Sequence, residues 1–179
     1  MCIRDRGFKV RLPLDIQFIF TSNPEDYTNR GTIVTPLKDR VGSQILTHYP
    51  ESIEIAKKIT KQESKIDSEL GSKIYIPEVA RDIIEQISFE ARESDLVDRK
   101  SGVSARMSIT SLQNLVSSAE RRMIINKEAK TSIRMSDFSS VISSINGKVE
   151  LVYEGEEEGA EQVSYNLISS AVKSIFNKY

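Results

Sequence analysis

Residues patterned for β-strands crowd into the first two dozen positions of this chain, and beyond Pro50 the apolar residues recur mainly at helical spacing. Phe8-Lys9-Val10-Arg11-Leu12 alternates apolar and basic side chains, the period of a strand with one covered face, and Pro13 ends it. Asp15 to Thr21 follows as Asp-Ile-Gln-Phe-Ile-Phe-Thr. This β-branched and aromatic run is too short for a helix and apolar on both faces at its end, which predicts a central parallel strand. Two strands alone make a marginal sheet in water, and these have apolar faces to cover. Either helices cover them or the rest of the sheet lies outside these residues.

The remainder reads as helices. Ile53, Ala56, Ile59, Ile66 and Leu70 keep helical spacing, with Gly71 as the expected C-cap. Pro77 opens a second helix with Ala80, Ile83, Ile84 and Ile87 on one face, running to about Ser94. Arg99-Lys100-Ser101-Gly102 breaks the pattern before a third helix, marked by Ile109, Leu112, Val116, Ala119 and Met123. Ser136-Asp137-Phe138 caps a short fourth helix ending near Asn146-Gly147. Lys148 to Tyr153 alternates like a strand or an extended segment, and the acidic run Glu154 to Gly159 reads as a solvated loop. A last helix spans about Glu161 to Asn177, and no internal repeat is present. The expected class is an α/β fragment followed by a mostly α part, with the boundary at residue 50.

With 39% hydrophobic and 28% charged residues, the 179-residue chain has globular composition. Its net charge of −1 gives no overall pull toward nucleic acid or an anionic membrane, and Lys9, Arg11 and Arg30 are too scattered to make a nucleic-acid surface. No apolar run approaches the ~18 residues of a membrane span. One cysteine, Cys2, and one histidine, His48, leave no internal disulfide and no Cys/His zinc site; His48 is expected in a packing or turn role. A reducing, cytoplasmic setting is expected. Met1 to Arg6 has neither the apolar core of a signal peptide nor a helix or strand period. It resembles the translated sequencing-adapter tails of assembled environmental DNA, so residues 1–6 are expected to be an artefactual tail, with the gene cut near residue 7 and the chain a fragment.

Three residues carry candidate chemistry. Asn23 stands where the apolar run gives way to Asn23-Pro24, the carboxyl end of a strand at which open α/β sheets present ligand-binding groups. A neutral amide there orients an attacking water against a terminal phosphate, or it serves only as an Asn-Pro turn initiator. Thr35-Pro36 reads as a helix start, so Leu37 to Val41 is expected to form a helical turn closed by Gly42. Arg40 on that turn is either a surface residue or an arginine finger reaching phosphate at a neighbouring subunit. Arg106, in Gly102-Val103-Ser104-Ala105-Arg106, falls just inside a helix start, where backbone N–H groups and the helix dipole favour an anion. An exposed first-turn arginine is the alternative.

Taken in order, these segments resemble sensor 1, the arginine finger and sensor 2 of AAA+ ATPases. The likeness is closest to the magnesium-chelatase and MoxR-like clade, where sensor 1 reads Thr-x-Asn-Pro, the finger lies in Leu-x-Asp-Arg-[Val/Ile/Phe]-Gly, and sensor 2 follows Gly-Val-Ser. The matching residues here are Thr21-Ser22-Asn23-Pro24, Leu37-Lys38-Asp39-Arg40-Val41-Gly42 and Gly102-Val103-Ser104. Gly7 to Leu14 resembles the second arm of the hairpin that this clade inserts before sensor 1. The likeness covers roughly Gly7 to Met123, and from Lys127 onward it rests mainly on Gly147 to Gly155.

That resemblance implies catalytic roles for Asn23 and Arg40 and nucleotide binding by Arg106. It implies the last strands of an AAA+ P-loop core over residues 7–50 and a helical lid over 51–179. The full-length protein is then expected to use ATP and Mg²⁺ in a ring, expected hexameric, and to remodel a partner or insert a metal into it. A von Willebrand factor A-type subunit is a partner of the kind the family implies. No Gly-x-x-x-x-Gly-Lys-[Ser/Thr] loop and no apolar strand ending in Asp-Glu occurs among the 179 residues, so this chain alone is expected to be inactive and to bind no cofactor. The competing reading is a non-catalytic helical module that binds a protein partner.

Overall fold

The computed structural model describes residues 2–5, 8–11, 15–21, 35–99 and 101–179. Contacts divide the chain into two compact units, Met1–Ile45 and Leu46–Tyr179.

In the first unit, β1 (Cys2–Asp5) pairs antiparallel with β2 (Phe8–Arg11), in the register Cys2 to Arg11 and Asp5 to Phe8. β2 is the strand that the Phe8 to Leu12 alternation predicts. Its partner lies in the Met1 to Arg6 segment. An extended strand presents a row of N–H and C=O groups, and the preceding segment satisfies them whatever its side-chain pattern. Asp15–Thr21 departs from expectation, since it has no regular secondary structure. A central strand needs neighbours on both edges, and no described strand pairs with this one. Its apolar residues stay exposed, Ile19 by 82%, and Phe18 and Phe20 stack on each other at 6.2 Å between centroids. The helical turn α1 (Thr35–Lys38) continues through Asp39 N–H to Thr35 C=O and Arg40 N–H to Leu37 C=O, both 3.0 Å.

The second unit is mostly helical. α2 (Ile53–Glu63) starts at Ser52, whose Oγ accepts from the Ile55 N–H. α3 (Ser68–Lys73) starts at Asp67, whose carboxylate accepts from the Glu69 N–H at 2.7 Å. The single helix expected from Ile53 to Gly71 is therefore two, and Gly71 lies inside the second rather than at its end. Ser64 is extended and Asp67 offers a local acceptor, so both residues compete with the helical ladder and break it between them.

β3 (Ile74–Tyr75) and β4 (Thr131–Ser132) form a short parallel pair. Between them run α4 (Glu78–Glu93) and α5 (Arg106–Ile125), close to their expected limits. A 3-10 helix (Met135–Val141) leads into α5's neighbour α6 (Ile142–Asn146), and α8 (Ala160–Phe176) closes the chain after α7 (Tyr153–Glu158). The core joins Ile83, Ile84 and Ile87 of α4, Leu112, Leu115 and Val116 of α5, and Val163, Leu167 and Ile175 of α8. Each fully buried side chain of this size contributes about 1.5–3 kcal/mol. Fully buried Ala91 and Ala171 supply small positions on α4 and α8, which pack most extensively on each other.

Of the Lys148 to Tyr153 segment, residues 149–152 are extended as expected, while Lys148 lies in the preceding turn and Tyr153 opens α7. Val149 bridges Val103 and Leu151 bridges Val97, both antiparallel, so this segment braces the connection from α4 to α5. The acidic run expected as a loop is α7. Glutamate favours helix, Glu154 and Glu156 in the first turn suit the dipole, and Gly155 lets the helix close on the Leu96 carbonyl. A Cβ at Gly155 would lie 2.5 Å from that oxygen.

Candidate functional site

The amino end of α5 is the most elaborately held stretch that carries a candidate residue. Gly102 adopts φ +71°, a conformation that glycine takes without steric cost. Val103, which is buried, donates its N–H to Tyr49 Oη at 3.2 Å. Ser104 Oγ accepts from the Arg106 N–H at 3.3 Å, and the Ser104 carbonyl accepts from the Met107 N–H at 2.9 Å. Gly-Val-Ser thus supplies a turn, an anchor and, just before the N-cap Ala105, an acceptor for the Arg106 N–H. Arg106 follows with its guanidinium exposed and without a hydrogen-bond or ion-pair partner among the described residues. A free guanidinium beside first-turn N–H groups and a helix dipole offers an anion both a fork of donors and a favourable field.

Behind this end lies a polar layer between α2, α4 and α5. Glu85 is 3% exposed. Burial pushes its carboxyl above the usual range, and hydrogen bonds from Thr60 and Ser108, with the charges of Arg92 and Lys57, draw it part of the way back. Ser88 Oγ and Ser108 Oγ are 2.7 Å apart. The Arg92 guanidinium stacks 4.3 Å from the centre of the Tyr49 ring and 5.2 Å from that of Phe89. Its burial lowers its pKa, opposed by Tyr49 and Glu85. On the outer side Lys57 Nζ lies 2.7 Å from Asp82 Oδ1 and 3.0 Å from Glu54, and the bond to Asp82 is the main cause of its raised pKa. A pocket lined by Lys57, Thr60, Arg81, Ile84, Glu85 and Leu112 has room for about one water molecule, too little for a nucleotide.

The three residues singled out by sequence have different fates. Arg106 stands exposed on the first turn of α5. Arg40 is exposed just beyond α1, where its Nη1 donates to the Pro36 carbonyl at 3.0 Å. The two arginines belong to different units, and no common site is assigned to them. Asn23 lies outside the described residues. Among the described residues no three His, Cys, Asp or Glu side chains gather as metal ligands, so none of them forms a ready Mg²⁺ cage. Tyr49, Glu85 and Arg92 were not anticipated. Asp82, Glu85 and Ser88 do recur at three-residue spacing beside the apolar stripe of α4, which was the available signal for a buried polar layer.

No protein-family model, curated protein or solved structure matches this chain.

Proposed function

We propose that this chain is the C-terminal part of a magnesium-chelatase-like AAA+ ATPase, with the last strands of the nucleotide-binding core in the first unit and the lid in the second. The observation that carries the reading is Arg106, whose guanidinium has no partner among the described residues, on the first turn of a long helix directly after an anchored Gly-Val-Ser. The order of Asn23, Arg40 and Arg106 along the chain supports it, as does Phe8–Arg11 as the second strand of an antiparallel hairpin. In the assembled protein Arg106 contacts the nucleotide phosphates from the lid, Arg40 reaches the site of the next subunit in a ring, and Asn23 orients the attacking water. ATP would bring the phosphoryl group and Mg²⁺ would neutralise its developing charge. The phosphate-binding loop and the metal ligands belong to a part of the protein outside these 179 residues. The output is remodelling of a partner or insertion of a metal into it, in a cytoplasmic ring.

Two experiments test this. Genomic sequence upstream of Gly7 is expected to encode a Gly-Lys-[Ser/Thr] loop and an Asp-Glu strand in frame; a stop codon there would overturn the reading. The 179-residue chain alone is expected to release phosphate from MgATP no faster than buffer. Measurable turnover that disappears in Arg40→Ala would sink the division of labour proposed here.

A further inference from the structure

We infer that Tyr49 is a positioning residue for Arg106, fastening the segment by which the chain enters the helical unit to the phosphate-facing end of α5; this rests on the ATPase reading. The unit opens with Leu46-Thr47-His48-Tyr49, so Tyr49 stands on the entering segment itself. Its hydroxyl accepts from the Val103 N–H at 3.2 Å, and its ring carries the Arg92 guanidinium at 4.3 Å. Arg92 in turn senses the charge of Glu85, and one turn away on α4 the Ser88 hydroxyl lies 2.7 Å from Ser108 Oγ on α5. The circuit closes on both sides of Arg106: Val103 is held three residues before it and Ser108 two residues after it. Its backbone is bracketed while its own guanidinium has no partner among the described residues.

A merely structural arginine is consumed by its neighbours, as Arg122 is by Asp137, Thr131 and Ser132. Arg106 is held by everything except its functional group. Any displacement of the entering segment reaches Val103 first, through one hydroxyl, and tilts the turn on which Arg106 sits. Tyr49 is thereby the contact, inside the helical unit, through which displacement of residues 46–49 changes the reach of Arg106 toward phosphate.

The test uses the full 179-residue chain and its Tyr49→Phe variant, which keeps the ring over Arg92 and removes only the hydroxyl. Backbone amide exchange is followed by NMR, together with a titration of inorganic triphosphate. In Tyr49→Phe, exchange at Val103, Arg106 and Met107 is expected to quicken roughly tenfold, the size of one lost hydrogen bond, while amides of Ile83 to Ile87 are unchanged. Arg92→Lys, which keeps the charge but not the planar stack, is expected to give a smaller change at the same amides. Triphosphate is expected to shift the Ser104 to Met107 resonances of the wild type, not those of Arg106→Ala, and to bind Tyr49→Phe several-fold more weakly. Unchanged exchange at Val103 to Met107, or a uniform rise across α4 and α5, would overturn the positioning role. So would equal triphosphate affinity in wild type and Tyr49→Phe. No triphosphate shift in the wild type, with the loop still loosened in Tyr49→Phe, would instead remove the ATPase reading and leave the fastening of α5 intact.

Discussion

Asp137 and Glu85 are both buried carboxylates, and their surroundings push them in opposite directions. Burial acts to raise Asp137, but the Arg122 fork at 3.2 and 2.9 Å and the Arg134 N–H at 2.8 Å outweigh it and hold the carboxyl below its usual range. A group whose folded pKa is depressed stabilises above its unfolded value, near 3.9, and loses that contribution as pH falls through the folded value. Asp137→Ala leaves Arg122 without its main partner and is expected to cost about 3 kcal/mol in urea unfolding at pH 7. Asp137→Asn should differ from wild type at neutral pH and converge with it as the acid limb is reached. Glu85 has the opposite sign. Its folded pKa is raised, so the folded state binds more protons and stability falls as pH climbs from about 4.3 toward the folded value. Glu85→Gln, which keeps an acceptor for Thr60 and Ser108, is expected to abolish that decline. Urea midpoints of both proteins at pH 4.5 and pH 8 would show it, and parallel slopes would refute it.

Glycine separates two kinds of helix at the element scale. Gly155 in α7 faces the Leu96 carbonyl so closely that a Cβ would sit 2.5 Å from the oxygen, with the Leu151 side chain at 3.2 Å. Gly155→Ala must therefore push α7 off the connection from α4 to α5, at an expected cost of about 1–3 kcal/mol. A Cβ at Gly71 in α3 would meet nothing within 4 Å. There alanine only restricts the unfolded chain, and Gly71→Ala should stabilise by about 0.5–1 kcal/mol. Thermal melts of the two variants should move in opposite directions. The same comparison explains which elements were legible. α4, α5 and α8 bury long stripes of Ile, Leu, Val and Ala, whose 3.6-residue recurrence survives any detail of packing. α7 depends on one glycine meeting a carbonyl 59 residues away, and β3 and β4 are two residues each. No local period announces either.

At the scale of the whole molecule, the core of the described residues lies in one unit. Every residue of the buried hydrophobic cluster lies between Ile74 and Ile175, whereas Ile16, Phe18, Ile19 and Phe20 of the first unit are at least half exposed. Leu46–Tyr179 expressed by itself is accordingly expected to unfold in one cooperative transition, within a few degrees of the full chain. A broad, non-cooperative melt by circular dichroism would contradict this. The candidate site divides along the same line. Gly-Val-Ser before Arg106 could be read as a helix start that welcomes an anion, because turn, cap and dipole are local properties of consecutive residues. The helical periods, the N-terminal strand Phe8–Arg11 and that helix start were determined by the sequence alone. The pairing of Cys2–Asp5, the break between α2 and α3, the helicity of α7 and the Tyr49, Arg92 and Glu85 circuit were decided only in three dimensions. Each of those depends on groups that must find a partner, a carbonyl, a ring or a buried carboxylate, and the partner's position is a product of the fold rather than of the neighbouring residues.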